Sequence, residues 1–292
     1  MTMLISGTVP IKGFPLTSGE ARFEGESLSL NDFKIPCTQG TAALISAALA
    51  TTEYLKLEPP QVLVAGDTGD GRGSRSIYEC LIRKVPEFSP DVLVLHYVLP
   101  DIALMRKVCE SVERCSKKPI MIADAASMYV AKAAGLATKF DIFTPDATHP
   151  AYINKHLFDT DVTRTPELVN AAYQLKGTAK LLLVKGAIDY VVRDGEIIDT
   201  ISEPDIPELE AIGGTGDTIT GLVAAFAYAE LELHEAAIIA ARANRMAGKF
   251  AQATLGTKVW QIISQFPEVF KEYLCEWSGV CYAEDNRSVS IN

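Results

Sequence analysis

Positive charge is scarce in this sequence: Lys and Arg total 27 against 37 Asp and Glu in 292 residues, a formal charge of −10. A surface of that sign repels a phosphate backbone, so no nucleic-acid partner is expected. An anionic ligand must instead be held locally, by a helix N-terminus or a few placed cations. Long apolar runs are also lacking. The stretch around residues 222–229 is too short to span a bilayer and passes into an acidic turn, so no membrane partner is expected. No basic segment followed by a long apolar core opens the chain, which reads as no secretory signal and a cytoplasmic location. The six cysteines form no CxxC pair and have no neighbouring His, so no metal-ligand set is expected and all six, Cys275 and Cys281 included, are read as free thiols. Neither GxSxG, HExxH nor GxxxxGK[ST] occurs.

What is present is an alternation of short apolar runs and helical segments. Residues 1–36 carry short alternating runs broken by Gly13, Pro15 and Gly25, and read as an N-terminal extension of small strands. Short edge strands of that kind suit pairing with a second copy, hence a homo-oligomer. The Ala-rich segment 41–55 predicts a helix, stopped by Pro59-Pro60. Continuous apolar runs at 61–65, 91–95, 119–123, 141–144 and 181–184 predict strands buried on both faces, as in a parallel sheet covered by helices. A hairpin at 189–199 turns at Asp194-Gly195. Helices are expected at 216–231, 234–253 and 259–273, the last broken near Pro267. The expectation is one three-layer α/β/α domain with a mostly parallel central sheet over 37–274, followed by a tail over 275–292.

Chemistry is expected first at Gly213-Gly214-Thr215-Gly216-Asp217, just before an apolar, small-residue helix. Backbone N–H groups there can converge on an anion because no Cβ obstructs it, and the helix dipole favours negative charge. Asp217 has two readings: a base that takes the proton of an attacking hydroxyl, or an acid of a helix first turn. A second glycine-rich loop, from Asp67 to Gly73, follows the 61–65 strand; Asp67, Asp70 and Gly71 are candidate substrate contacts, with Ser74 as a helix cap, or else the aspartates serve only the turn. Asp124 ends an apolar strand, where open α/β folds put ligands. Asn244 reads as a polar residue on a solvated helix face.

The segment GTGDTITG, with Lys185-Gly186-Ala187 upstream, resembles the ribokinase-like superfamily. Within it the chain is most similar to the ADP- or ATP-dependent NAD(P)H-hydrate dehydratases: Asp124-Ala125-Ala126 resembles their DAD segment and Thr144-Pro145 the start of their TPHPGE loop. Ala126 replaces the second acid of the former, and the latter continues as Asp146-Ala147-Thr148-His149-Pro150, without its Glu. The resemblance implies a ribokinase-like fold and a nucleotide cofactor, ADP or ATP, with Mg²⁺. It implies Lys185 and Gly186 near the phosphates beside Gly213–Gly216, Asp217 as base, and Asp146 and His149 beside a small hydroxylated substrate. The rival readings are a sugar or vitamin-precursor kinase and a nucleotide-binding sensor without turnover.

Overall fold

A computed structural model describes residues 1–147, 177–281 and 290–291. In chain order its strands and helices are β1 (Met3–Val9), β2 (Thr17–Phe23), β3 (Ser27–Leu30), β4 (Phe33–Pro36), α1 (Gly40–Tyr54), β5 (Gln61–Gly66), α2 (Arg72–Phe88), β6 (Val92–His96), α3 (Ile102–Val112), β7 (Ile120–Asp124), α4 (Ala126–Ala133), β8 (Ile142–Phe143), β9 (Leu181–Val184), β10 (Asp189–Arg193), β11 (Glu196–Ile201), α5 (Thr215–Tyr228), α6 (Leu233–Phe250), α7 (Val259–Ile263) and α8 (Phe266–Val269). Pro267 sits in the first turn of α8, where its missing N–H costs no helical bond.

Eleven of the described strands form one sheet in the order β11-β10-β9-β8-β7-β6-β1-β5-β2-β3-β4, and Val280–Cys281 and Ser290–Ile291 pair separately as a two-stranded antiparallel ribbon. The six strands from β9 to β5 run parallel, with antiparallel strands on both flanks. Strand periodicity divides the core between the two faces. Val62, Val92, Ile122 and Leu183 point to one apolar cluster with α1, α5 and α6, while Leu63, Leu93, Met121 and Leu182 point to another with α2 and α3. Helix α1 is buried on every side from Thr41 to Thr52, packed against β1 and α5, which explains why its sequence has no polar stripe.

Two sequence expectations change. Residues 3–9 are not part of an appendage: β1 is an inner strand between β5 and β6, and its apolar residues Met3, Ile5 and Val9 are buried. Cys275 and Cys281 are bonded to each other, not free, because the left-handed Gly279 (φ 70°) turns the chain back until their Cα atoms are 4.5 Å apart. Among the described residues no helix is long and apolar enough to cross a membrane.

The topology positions the site. From β1 the chain goes by way of β2–β4 and α1 to β5 on one side of β1, then through α2 to β6 on the other side. At such a reversal the loops part above the carboxyl ends of the strands and leave a crevice.

Candidate active site

That crevice, as bounded by the described residues, holds a cavity of about 700 Å³. Its walls come from the end of β1 (Thr8), the residue after β6 (Tyr97), the end of β7 (Asp124), the segments after β8 (Asp146) and β9 (Lys185, Gly186), and the starts of α1 (Gln39 to Thr41) and α5 (Gly213 to Asp217). Asn244 and Arg245 of α6 close it from the side. Two helix N-termini therefore open on one cavity.

Asp217 lies in the first turn of α5, with its side chain 16% exposed. Oδ2 accepts the Gly40 N–H at 2.7 Å, and Oδ1 lies 3.0 Å from His96 Nε2. Among the described residues no side chain caps α5 at Gly214, which adopts φ 98°. That residue must be glycine for a second reason: a Cβ there would stand 2.9 Å from Gln39 Cα, so the bare backbone lets the starts of α1 and α5 touch.

Lys185 is buried, yet it remains charged. Burial opposes the charge, but the carboxylates of Asp124, Asp146 and Asp217 outweigh it and hold the amine above the usual lysine range. Its Nζ donates to Asp124 Oδ2 (2.9 Å) and to the Gly216 carbonyl (3.2 Å), and pairs with Asp146 Oδ1 at 3.5 Å. Asp124 is almost wholly engaged in this arrangement. Besides Lys185 it accepts the Thr220 hydroxyl on Oδ2 and the Ala125 N–H on Oδ1. Because the Thr220 proton is committed to Asp124, the Thr144 hydroxyl must be the donor in its 2.8 Å contact with Thr220. Ala125 turns its N–H onto Asp124 in a strained backbone, φ 51°.

The structure thus brings Asp217, Gly213–Gly216, Lys185, Gly186, Asp124 and Asp146 to one cavity. It separates others. Asp67 lines the far wall, but its carboxylate closes on its own loop, accepting from the N–H groups of Gly69, Gly71 and Ser74 and from the Ser74 hydroxyl. Asp67, and not Ser74, therefore caps α2. Asp70 is an exposed partner of Arg72, and neither it nor Gly71 lines the cavity. His149 lies outside the described residues.

Sequence reasoning missed His96 and misjudged Asn244. Asn244 is buried, not solvated: α6 packs against α5, and the Thr218 hydroxyl donates to Asn244 Oδ1 at 2.7 Å. His96 is fully buried behind Asp217. Its signal was the one that picked out Asp124, a polar residue ending an apolar strand of the parallel sheet. Arg245 was missed as well; it pairs with Asp189 at 2.8 Å and donates to the carbonyls of Gly186 and Ala187, fixing the turn after Lys185. Burial pushes the Asp189 carboxyl up, against the pull of Arg245 and the Gly186 N–H.

An uncharacterised protein of Methanocaldococcus jannaschii is 36% identical over 242 residues, covering 79% of this chain and all of that protein. The bifunctional NAD(P)H-hydrate repair enzyme of Pyrobaculum aerophilum is 38% identical over 98 residues, 33% of this chain and 19% of its own length. Among solved structures, the ADP/ATP-dependent NAD(P)H-hydrate dehydratase of Bacillus subtilis, co-crystallised with ATP and Mg²⁺, superposes with a TM-score of 0.59 at 14% identity, over 92% of this chain and 88% of that one. The mixed sheet, parallel at its centre and lying between helices, is the ribokinase-like fold expected from the motifs. Residues 87–267, from the end of α2 into α8, match the family described as NAD(P)H-hydrate dehydratase, and the chain belongs to that family.

Proposed function

We propose that the chain is a nucleotide-dependent dehydratase of hydrated NAD(P)H, which activates the substrate hydroxyl by phosphoryl transfer from ADP or ATP and then eliminates the phosphate. The observation that carries the reading is Asp217. It is a carboxylate held by two donors at an uncapped helix N-terminus, with Lys185 beneath it, facing a cavity large enough for two ligands. An acid beside a phosphate site is electrostatically disfavoured unless it accepts a proton, so Asp217 is assigned the role of base toward the substrate hydroxyl. The amides of Gly213 to Gly216 would cradle the transferred phosphoryl group, where the dipole of α5 favours its charge. Lys185 would supply fixed positive charge; Gly186, held by Arg245, keeps that strand end in place. Asp124 is then chiefly the counter-ion that orients Lys185, and Asp146 and His149 remain with the substrate side.

The nucleotide needs a companion cation, because among the described residues carboxylates outnumber ammonium and guanidinium groups around the cavity. The donor atoms of His96, Asp124 and Asp217 lie within 4.8 Å of one another, but this cluster does not suit magnesium: a nitrogen is among the donors, and the carboxylates already accept hydrogen bonds from His96, Lys185 and Gly40. Asp146, half exposed to the cavity, is the hard oxygen donor that fits. Magnesium bound with the nucleotide supplies charge that offsets the phosphates. A cytoplasmic location, a small-molecule substrate and self-association belong to the same proposal.

The test is incubation with ADP or ATP and hydrated NADH, following NADH absorbance and nucleotide consumption, beside a panel of hydroxylated metabolites. Recovery of NADH is the expected result. Nucleotide loss with a metabolite and no recovery of NADH would make the protein a kinase, and binding without turnover a sensor.

A further inference from the structure

We propose that His96 is a positioning residue for Asp217, held as the Nε2–H tautomer and fixing the carboxylate so that its free lone pairs face the cavity; this rests on Asp217 being the base. The chain of contacts runs from α1 through β6 to α5. Asp217 is an acceptor when ionised, so the proton in its 3.0 Å contact with His96 must sit on Nε2. In the neutral ring Nδ1 is then bare, and the Thr41 hydroxyl, 2.9 Å away, is its donor. Other groups hold the ring on the remaining sides. Tyr97 packs edge-on, with ring centroids 4.5 Å apart at 81°, and its own backbone is forced to φ 49° immediately after β6. Thr8, from β1, donates to the Tyr97 carbonyl and ties that turn to the sheet. The charged groups around the ring are Asp217 from α5, Asp124 from β7 at 3.9 Å, and beyond it Lys185.

His96 touches no part of the cavity itself, so it acts through Asp217. Each Asp217 oxygen spends one lone pair on a protein donor, Gly40 on one side and His96 on the other, and keeps one for a substrate proton. Without the imidazole, the Gly40 N–H alone among the described donors would orient the carboxylate, and rotation about its last bond would carry the basic lone pair out of line.

The test combines kinetics with an activity-independent measurement on the full chain. His96→Phe is expected to lower kcat by roughly 10- to 100-fold, the range for losing a hydrogen bond to a charged group, with KM within a few-fold. His96→Gln, whose amide can donate to the same oxygen, should recover part of that loss. In an Asp217→Asn background, His96→Phe should cost nothing further, because both changes act on one carboxylate. An equal loss in that background would mean that His96 only supports the fold, and would overturn the proposal. Nitrogen-15 NMR of the labelled wild-type protein reads the tautomer directly: Nε2–H is expected, and a neutral ring protonated at Nδ1 overturns the proposal. If the wild type recovers no NADH, the dehydratase reading falls, while the NMR result still decides the position of the proton.

Discussion

Two loops rich in glycine lead into helices here, and they use the same ingredients for opposite ends. In the loop before α2, Asp67 precedes the glycines, and the chain wraps around it through Gly69 (φ 104°) and Gly71 (φ 76°) until four donors satisfy its carboxylate. Nothing is left over for a ligand. In the loop before α5 the acid comes after the glycines, as the third residue of the helix, too late to cap it. Asp217 is satisfied instead by α1 and β6, and the start of its own helix has no side-chain cap among the described residues. The order of acid and glycine decides whether such a loop seals itself or stays available to an anion.

The largest expected effect comes from the available loop. Asp217→Asn should lower turnover by roughly 10²-fold or more while nucleotide affinity stays within a few-fold, as loss of a general base does. Asp67→Asn should leave both unchanged; if steady-state kinetics showed the reverse, the comparison would be broken. Gly214→Ala should destabilise by about 2–4 kcal/mol in denaturant unfolding, since it adds a left-handed penalty to a collision with Gln39. Gly69→Ala carries only the penalty, about 1–2 kcal/mol, because no atom of the described residues lies within 4 Å of the new Cβ. Asp67→Ala removes a helix cap and should cost about 1 kcal/mol at neutral pH.

That last cost should depend on acidity. Burial raises the Asp67 carboxyl pKa, but the hydrogen bonds from Ser74, Gly69 and Gly71 outweigh it and hold the group below the usual aspartate range. Its contribution to stability is therefore present above the unfolded value, and is lost as pH falls through the lower folded value. Unfolding curves of wild type and Asp67→Ala should converge as pH drops below about 4. The smallest effect is expected at Asp70, whose pair with Arg72 lies on the surface: Asp70→Ala should move the unfolding midpoint less than any of these.

The parallel strands, the hairpin and the α5 loop were legible because each has a local signature: a continuous apolar run, a Gly at the turn, or glycines before a small-residue helix. Strand β1 was not, because Ser6, Gly7 and Thr8 interrupt its apolar run. Those residues suit the interior for reasons no local window contains. Ser6 donates to the Leu63 carbonyl, and Gly7 leaves room for Thr41 and the His96 carbonyl. The partners of His96 were equally remote, at positions 41, 124 and 217. Asp67 was legible only as a pair of alternatives, since a carboxylate that caps and one that waits for a ligand look alike until the loop closes.

The placement of β1 has a consequence for how the protein is made. Strand β1 leaves the ribosome well before the two strands it lies between: its pairing partners begin at Gln61 and Val92. Until residue 96 has been synthesised, the sheet has no centre to grow from in both directions, and the apolar side chains of Met3, Ile5 and Val9 have no complete shelter. The nascent chain must keep this segment soluble until β6 has been made, a window in which a chaperone has something to hold.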